Sequence, residues 1–253
     1  AFQQWVKDQA AAAVAGSLDK LPGDPLLHFT LDEGKGNTVK DQVDAKRVGK
    51  IKGKPQWVPA RFGQGLKMDG SNFVELAGVA DFERTDKFSY GGWVSAGPKP
   101  SGAIVARMDD ANGFRGYDLL LSGGHVEVHI VHKWPENAVK VRTKKPIESD
   151  GWHHICATYD GSSKAAGIAI YVDGQSQEWD IQQNGLTETI RTKKPFHIGS
   201  RNPGGRLKGT VDDVRVFKRQ LTAIEVQALA MSNPITPILA VAADKRTKEQ
   251  VQT

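Results

Sequence analysis

Short runs of alternating apolar and polar residues, each ended by a glycine-rich or polar turn, fill the chain from residue 26 to residue 221. Residues 122–124 (Ser-Gly-Gly) and 173–174 (Asp-Gly) are typical of hairpin turns. The double glycine at 91–92 predicts a bend or a close approach of two backbones. Because alternation with a period of two is the pattern of a strand, the chain is predicted to form about a dozen short strands. The expected fold class is all-β, a sandwich or jelly roll.

The chain is organised around residues 209–221, which read as a closing strand with valines facing one side. Asp212 and Asp213 lie side by side at the head of this strand. Neighbouring side chains on an ideal strand point to opposite faces, so one carboxylate is expected to face inward or toward a loop. A carboxylate held there needs a hydroxyl, an arginine or a metal ion as its partner.

Helices are expected at both ends of the strand region. Residues 1–21 combine apolar residues at helical spacing with many alanines, and predict a connecting helix within residues 1–25. Thr222 and Glu225 form a capping-box pattern for a helix through Ala230. The predicted domains are therefore a connecting helix at 1–25, a β-domain at 26–231, and a linker or helix at 232–253.

The composition restricts the class of protein further. Apolar residues make up 39% of the 253 residues, and no run of 18 apolar residues occurs that would span a membrane. The start lacks a basic segment followed by an apolar one, so a signal peptide is not predicted and a mature product or an excised fragment is expected. Cys156 is the single cysteine, which excludes an internal disulfide framework and leaves the compartment undecided. The net charge of +5 favours an anionic partner.

Five stretches occur in one order along the chain, at residues 29–36, 62–70, 152–161, 171–174 and 211–217. Together they resemble the laminin-G-like jelly roll of the concanavalin A-like lectin/glucanase superfamily, over roughly residues 26–230. The resemblance implies a concanavalin A-like jelly-roll β-sandwich with short N- and C-terminal helices.

The finer detail of two segments looks like the jelly-roll segment of large secreted bacterial proteins of planctomycete type, which also carry a cytochrome-c-like domain. These segments are RMDDANGFRGYDLLL and HIVHKWPENAVKV. The resemblance implies an extracytoplasmic module (periplasmic, secreted or cell-surface) with neighbouring domains in a larger protein. Such modules bind glycans or proteins, often with a structural calcium ion.

The resemblance also implies a calcium site built on Asp32 and Asp212. Asp32 follows the first strand and Asp212 opens the last, and in the superfamily these two ends lie near each other. A hard cation prefers several oxygen ligands, which carboxylates and loop carbonyls supply. The alternative is that Asp32 caps a turn and Asp212 pairs with an arginine.

Catalytic patterns are not evident. The superfamily's retaining glucanases carry Glu, Asp and Glu at alternating positions of one strand, and two close carboxylates are needed for that chemistry. Here Glu127 stands alone in HVEVHI, and Asp109 and Asp110 are adjacent, so on a strand they diverge. The seven histidines show no zinc-binding spacing and are interpreted as core or hydrogen-bonded residues. Cys156 is expected to be a small buried residue. We therefore predict that the protein is not an enzyme.

A glycan-binding surface is the preferred hypothesis. Sugar rings have apolar faces and polar edges, and the segments 107–117 and 129–137 mix aromatic, polar and basic residues. The predicted ligand-binding residues are Arg107, Asp109, Arg115, Tyr117, His129, His132, Trp134 and Arg201. Their positive charge suits an anionic polysaccharide. The alternative is that Trp134 packs against a neighbouring domain, in a structural or protein-interaction module without a glycan ligand.

Nucleic acid is not an expected partner. The segment RTKKP occurs twice, at 142–146 and 191–195, but it lacks interleaved aromatic residues. Both copies are interpreted as solvated strand ends.

Overall fold

The computed structural model describes residues 21–147 and 151–231. The predicted N-terminal connecting helix, apart from its last five residues, and the predicted C-terminal linker lie outside the described residues. In the described part the chain forms seventeen strands, a 3₁₀ turn and one α-helix. The elements, in chain order, are β1 (Leu27–Phe29), β2 (Thr38–Lys40), β3 (Val48–Lys52), β4 (Trp57–Pro59), β5 (Gln64–Asp69), β6 (Phe73–Leu76), β7 (Phe88–Ala96), β8 (Gly102–Asp109), β9 (Arg115–Ser122), β10 (His125–Lys133), β11 (Asn137–Thr143), β12 (Gly151–Tyr159), the 3₁₀ turn (Ala165–Gly167), β13 (Ile168–Val172), β14 (Gln175–Ser176), β15 (Trp179–Asn184), β16 (Phe196–Ile198), β17 (Lys208–Phe217) and α1 (Ala223–Met231).

The strands form two antiparallel sheets that pack face to face. The nine-stranded sheet has the order β15-β11-β10-β9-β8-β16-β6-β3-β2, and the eight-stranded sheet has the order β14-β13-β12-β7-β17-β5-β4, with β1 paired to β17. The inward-facing residues of both sheets form one buried apolar core, as expected for a sandwich. The prediction of an all-β, concanavalin A-like sandwich is confirmed.

The turn signals in the sequence lie where hairpins form. Gly123 and Gly124 connect β9 to β10, and this turn sets His125 opposite Ser122. Asp173 and Gly174 connect β13 to β14 with φ angles of 51° and 76°, the left-handed pair that a type I′ turn requires.

The double glycine lies in β7, between β12 and β17. A Cβ atom on Gly91 would lie 2.1 Å from the Ile155 carbonyl oxygen, and one on Gly92 would lie 3.1 Å from the Val214 Cα. The predicted close approach of backbones is therefore present on both sides of β7.

Helix α1 covers part of the eight-stranded sheet on the side away from the core. Its capping box forms as predicted: the Glu225 N–H donates to Thr222 Oγ1 at 3.3 Å, and the Thr222 N–H donates to Glu225 Oε2 at 2.8 Å. Buried Val226 and Leu229 pack in one apolar cluster with Cys156, confirming that this cysteine is a small core residue. No helix among the described residues is long and apolar enough to cross a membrane.

The closing strand β17 differs from the expectation at its two carboxylates. A bulge between Asp212 and Arg215 leaves two residues between the inward-facing Val211 and Val214, and Asp213 has a φ angle of 46°. Alternation is interrupted there, so both carboxylates lie on the side of the sheet away from the core. Neither carboxylate faces inward, but the other form of the expectation is met: Asp212 faces the loop between β4 and β5, where its Oδ2 accepts a hydrogen bond from the Phe62 N–H.

Candidate functional site

The outer face of the nine-stranded sheet, meaning the side that points away from the eight-stranded sheet, carries an unusual amount of buried charge. Alternation along β9 turns Tyr117 and Leu119 into the core, and therefore turns Asp118 to the outer face. On β10 the core residues Val126 and Val128 place Glu127 on the outer face in the same way. Asp118 is 0% exposed and Glu127 is 3% exposed.

Asp118 is held between two basic side chains. Arg201 Nε forms an ion pair with Asp118 Oδ2, and His129 Nδ1 lies 2.8 Å from Asp118 Oδ1. Burial alone raises the pKa of Asp118, but the Arg201 charge and then His129 outweigh it and lower that pKa to about 2. Asp118 is therefore ionised at neutral pH, and it fixes the position of Arg201.

Glu127 on β10 is held between two basic side chains, as Asp118 is on β9. Lys140 Nζ lies 2.9 Å from Glu127 Oε2, and Arg142 Nη1 forms an ion pair with Glu127 Oε1. Burial opposes ionisation here too, but Lys140 and then His129 and Arg142 lower the pKa of Glu127. His129 Nε2 lies 3.7 Å from Glu127 Oε2, so the imidazole connects the two carboxylates.

Two aromatic side chains stand beside these cations. Lys140 Nζ lies 5.6 Å from the centre of the Trp134 ring, and the Arg201 guanidinium lies 5.8 Å from the Phe114 ring. Both rings are half-buried against a small apolar cluster on the outer face that includes Met108. Trp134 lies in the turn between β10 and β11, in agreement with its predicted loop position.

In this cluster the carboxylates are buried and the basic side chains lie closer to the solvent. The two carboxylates are buried, whereas the side chains of Arg201, Lys140 and Arg142 remain 14%, 14% and 31% exposed. Their N–H groups are thus held in fixed directions at the surface, and those of Lys140 and Arg201 lie beside aromatic rings. Such a surface suits hydroxyl-rich or anionic ligands.

Five of the eight predicted ligand residues do not lie on this face. Arg107 lies two residues after the core residue Val105, so its side chain points between the sheets, where it is 6% exposed. Its guanidinium donates hydrogen bonds to the carbonyls of Val79 and Thr192. Tyr117 is 1% exposed, and its hydroxyl donates to the Ala80 carbonyl at 2.8 Å. Both side chains have the inward parity of their strands, so neither is presented to a ligand.

The remaining three of these five lie at the rim of the sandwich. Asp109 has the same parity as Arg107, and its Oδ1 lies 3.8 Å from Lys194 Nζ. Arg115 Nε donates to the His132 carbonyl at 3.2 Å, and His132 Nδ1 lies 2.7 Å from the Thr189 carbonyl oxygen. These contacts tie a loop to the sheet. His129, Trp134 and Arg201 are the predicted residues that the fold brings together on the outer face.

The sequence-based prediction missed Asp118, Lys140, Arg142 and Phe114, and it treated Glu127 as isolated. One signal was available for Asp118. A hairpin closed at Gly123 and Gly124 that sets His125 opposite Ser122 also sets His129 opposite Asp118. The partners of Glu127 follow from the next hairpin, in which Arg142 lies opposite Glu127.

Asp212 and Asp32 form a second centre, on the outer side of the eight-stranded sheet. One short loop joins them: the Phe62 N–H donates to Asp212 Oδ2 and the Gln64 N–H donates to Asp32 Oδ1, both at 2.8 Å. Asp212 is 0% exposed, and its Oδ1 has no hydrogen-bond partner among the described residues. Burial first, and then the charges of Asp213 and Asp32, raise the pKa of Asp212 to about 7, against the hydrogen bond from Phe62.

Asp213 has different partners. His28 Nε2 lies 2.6 Å from Asp213 Oδ1, and Arg215 Nη2 lies 3.2 Å from the same oxygen. Burial raises the pKa of Asp213, but His28 and Arg215 outweigh it and lower that pKa. The arginine pairing predicted as the alternative for Asp212 therefore involves Asp213 instead.

The donor set fits a cation only in part. Asp212 Oδ1 is a buried oxygen without a donor, which is the feature a cation would satisfy. Among the described residues no group of three or more His, Cys, Asp or Glu side chains is arranged to hold a metal ion. A hard cation here would have to take its remaining ligands from backbone carbonyls and water.

A depression of about 510 Å³ lies elsewhere, at the end of the eight-stranded sheet, between Lys67, Ser95 and Lys208. Lys67, Asp69 and Lys208 line this depression, but no aromatic residue among the described ones does. We therefore place the candidate site on the outer face of the nine-stranded sheet, where charged and aromatic side chains lie together.

Comparison with known proteins supports a lectin-like fold. A family model described as the concanavalin A-like lectin/glucanases superfamily matches residues 68–227. The binding domain of Paraclostridial Mosquitocidal Protein 1 is similar in structure, with 17% identity and a TM-score of 0.63 over 82% of this chain and 52% of that chain. Domain 4 of an extracellular arabinanase from Geobacillus stearothermophilus, in complex with arabinotriose, has 15% identity and a TM-score of 0.56 over 82% of this chain and 98% of that chain.

A Trypanosoma rangeli sialidase in complex with the inhibitor DANA has 15% identity and a TM-score of 0.61 over 91% of this chain and 37% of that chain. The chain thus spans about half or less of the length of two of these three proteins. At these identities the similarity establishes the fold alone.

Proposed function

Because the chain belongs to the concanavalin A-like lectin/glucanase superfamily, we propose that it is a non-catalytic carbohydrate-binding module for an anionic polysaccharide, with its binding site on the outer face of the nine-stranded sheet. The observation that carries this proposal is the pair of buried carboxylates, Asp118 and Glu127, beneath the partly exposed cations beside Trp134. Three of the similar solved structures are described as a binding domain, an arabinotriose complex and an inhibitor-bound sialidase.

The energetics of the surface favour binding. Arg201 and Lys140 are already oriented by buried partners, so a ligand loses little side-chain entropy when it binds them. The exposed edges of Trp134 and Phe114 offer apolar contact for a sugar ring. Cations outnumber carboxylates in this cluster, so an acidic sugar meets a complementary field.

The same pKa shifts argue against glycoside hydrolysis at this site. A retaining glycosidase needs one carboxylic acid that keeps its proton at working pH. Asp118 and Glu127 both have lowered pKa values, so both are ionised at neutral pH. A protein-interaction module without a glycan ligand is the rival function, and the half-burial of Trp134 against the apolar cluster favours it.

Replacing Trp134 by alanine is expected to weaken binding of an anionic polysaccharide about twofold to twelvefold, which corresponds to the loss of one aromatic contact of ~0.5–1.5 kcal/mol. Affinity gel electrophoresis in gels containing polygalacturonate, heparin or neutral arabinan measures this. The wild type should be retarded in the anionic gels, and less so at high salt because the charges are screened.

The matched control for that experiment is Trp57→Ala. Trp57 is a half-buried tryptophan on β4 of the other sheet, whose Nε1 donates to the Gly36 carbonyl at 3.1 Å. Retardation should be unchanged in this control. Equal retardation of the wild type and the Trp134 variant would reject the aromatic contact, and no retardation of the wild type in any gel would support the protein-interaction module.

We also propose that the module carries a structural calcium ion at Asp212 and Asp32. The unpartnered Asp212 Oδ1 supports this ion. A bound cation would neutralise the carboxylate charge at the bulge of β17. Asp212 Oδ2 and Asp32 Oδ1 would keep their hydrogen bonds from the N–H groups of Phe62 and Gln64.

The cellular setting is a proposal of the same kind. We propose an extracytoplasmic location within a larger secreted protein of the planctomycete cytochrome-c type, on the strength of the resemblance of residues 107–121 and 129–141. Detection of the parent protein in a culture supernatant or periplasmic fraction by antibody tests it, and confinement to the cytoplasm would contradict it.

A further inference from the structure

A single transverse row of polar side chains crosses all nine strands of the outer face. Strand register sets each member directly opposite the next, so all share one face. From one edge of the sheet to the other the row reads Gln183, Lys140, His129, Asp118, Ala106, His197, Glu75, Lys50, Thr38. Ala106 is its single apolar member. The binding cluster described above therefore continues beyond β8 to the far half of the sheet.

The far half repeats the chemistry of the near half. His197 is 2% exposed, and its Nε2 lies 3.4 Å from Glu75 Oε2. Lys52 Nζ lies 2.9 Å from Glu75 Oε1. Burial opposes ionisation, but Lys52 and then His197 lower the pKa of Glu75. A carboxylate paired with a cation thus occurs again on the other side of β8, here with the Glu75 side chain 31% exposed.

An aromatic ring and an arginine complete the far half. The Arg206 guanidinium lies 4.1 Å from the centre of the Phe73 ring, and its Nε donates to the Pro203 carbonyl at 3.1 Å, which fixes its orientation. Phe73 also contacts His197, with a ring separation of 4.8 Å. Neither Arg206 nor the exposed Lys50 lies within 4.0 Å of a carboxylate oxygen in the part of the chain that the structure describes. Lys50 in the row and Arg206 beside it are therefore cations without a carboxylate partner among the described residues.

The face therefore holds three pairs of a cation and an aromatic ring, at Trp134 with Lys140, Phe114 with Arg201, and Phe73 with Arg206. Four strand spacings separate β10 from β6. At about 4.8 Å per spacing the outer pairs lie roughly 19 Å apart across the sheet. A ligand that contacts both outer pairs must therefore be an extended chain of several sugar residues.

We propose that the outer face binds a linear polyuronate that lies across the strands, with one subsite at Trp134 and a second at Phe73 and Arg206. The inference rests on the proposed function and adds the class of ligand and its direction. The Arg206 guanidinium supplies a positive charge for a carboxylate, with its Nε already donating to the Pro203 carbonyl and its Nη1 buried. The row has few uncompensated cations, so it suits a chain with one charge per residue better than a densely sulfated one.

Isothermal titration of the full chain with oligogalacturonides, from disaccharide to octasaccharide, tests the inference. Affinity should rise about tenfold or more once the oligomer reaches the second subsite, because the second contact is then intramolecular. Arg206→Ala should remove most of the rise in affinity with chain length that the wild type shows. Arg206→Lys, which keeps the charge but loses the planar stack, should lie between them.

The matched control is Arg61→Ala. Arg61 also stacks on an aromatic ring, at 4.6 Å from Trp93, but it lies on the other sheet. This variant should keep the full dependence on chain length. Equal wild-type affinity for disaccharide and octasaccharide would overturn the second subsite while leaving the proposed function in place. Absence of binding of both the oligogalacturonides and a heparin octasaccharide would overturn the proposed function itself. Binding of the heparin octasaccharide that is tighter than that of the oligogalacturonides would overturn the polyuronate.

Discussion

Asp212→Asn is expected to stabilise the calcium-free protein at pH 8, and calcium is expected to remove most of this advantage over the wild type. Without calcium, the pKa of Asp212 is raised from 3.8 to about 7. The folded state then binds the proton more tightly than the unfolded state does. The stabilisation is complete below about pH 4 and is lost as the pH rises through 7, at about 1.4 kcal/mol per pKa unit, or ~4 kcal/mol in all.

The measurement is a difference between variants. His154 has a pKa lowered to about 4 by burial, so its contribution to stability rises with pH between about 4 and 6.5 and opposes that of Asp212. Urea denaturation of wild type and Asp212→Asn in chelator, at pH 4, 6 and 8, cancels the His154 contribution. The variant should gain up to ~4 kcal/mol on the wild type across this range.

Calcium should reduce this difference by more than half. Calcium at a hundredfold excess over its Kd stabilises the wild type by about 2.7 kcal/mol and leaves Asp212→Asn unchanged. Asp180→Asn, an exposed carboxylate on β15, is the control and should behave as the wild type. Parallel pH profiles of the two proteins would show that the pKa of Asp212 is not raised. A wild-type stability that calcium and chelator leave unchanged would reject the proposed ion.

Asp118→Asn is expected to lower the free energy of unfolding at pH 7 by ~3–5 kcal/mol, because it leaves the Arg201 charge and His129 without their buried partner. The wild type should also lose about 2 kcal/mol as the pH falls from 4 to 2. The folded pKa of Asp118, about 2, lies below its usual value, so its stabilisation is present above pH 4 and is lost on acidification.

A double-mutant cycle with Arg201→Gln separates this pair from a general effect of substitution. Removal of both charges should cost less than the sum of the two single variants, with a coupling energy of at least ~1 kcal/mol. Asp118→Asn should also weaken glycan binding, because Arg201 loses its orientation. A loss below ~1 kcal/mol for Asp118→Asn, or strict additivity, would contradict the buried ion pair as described.

Local features of the fold were predictable because they depend on neighbours in the chain. The hairpin turns at 122–124 and 173–174 and the capping box of Thr222 and Glu225 depend on a few adjacent residues, and all three are confirmed. The bulge in β17 was not predictable. Its left-handed Asp213 is stabilised by His28, a residue that lies 185 positions away in the chain.

The candidate site was predictable in part. Alternation along the strand that contains Tyr117 and Leu119 implies that Tyr117 faces the core and Asp118 the outer face. The prediction of Tyr117 as a ligand-binding residue disregarded this alternation. The position of Arg107 was harder to foresee, because the carbonyls that hold it belong to Val79 and Thr192, far apart in the chain. The transverse row depends on the register of eight strand pairs, which no local pattern specifies.

The two sheets of the sandwich differ in which end elements of the described chain lie on them, and this difference affects assays in which the protein is attached to a surface. The first and last elements of the described chain, β1 and α1, both belong to the eight-stranded side: β1 pairs with β17, and α1 packs on the outer side of that sheet. Attachment of the protein to a surface through an exposed position of α1 would therefore direct the outer face of the nine-stranded sheet toward the solution. A tethered copy would keep its whole transverse row accessible to a passing polymer.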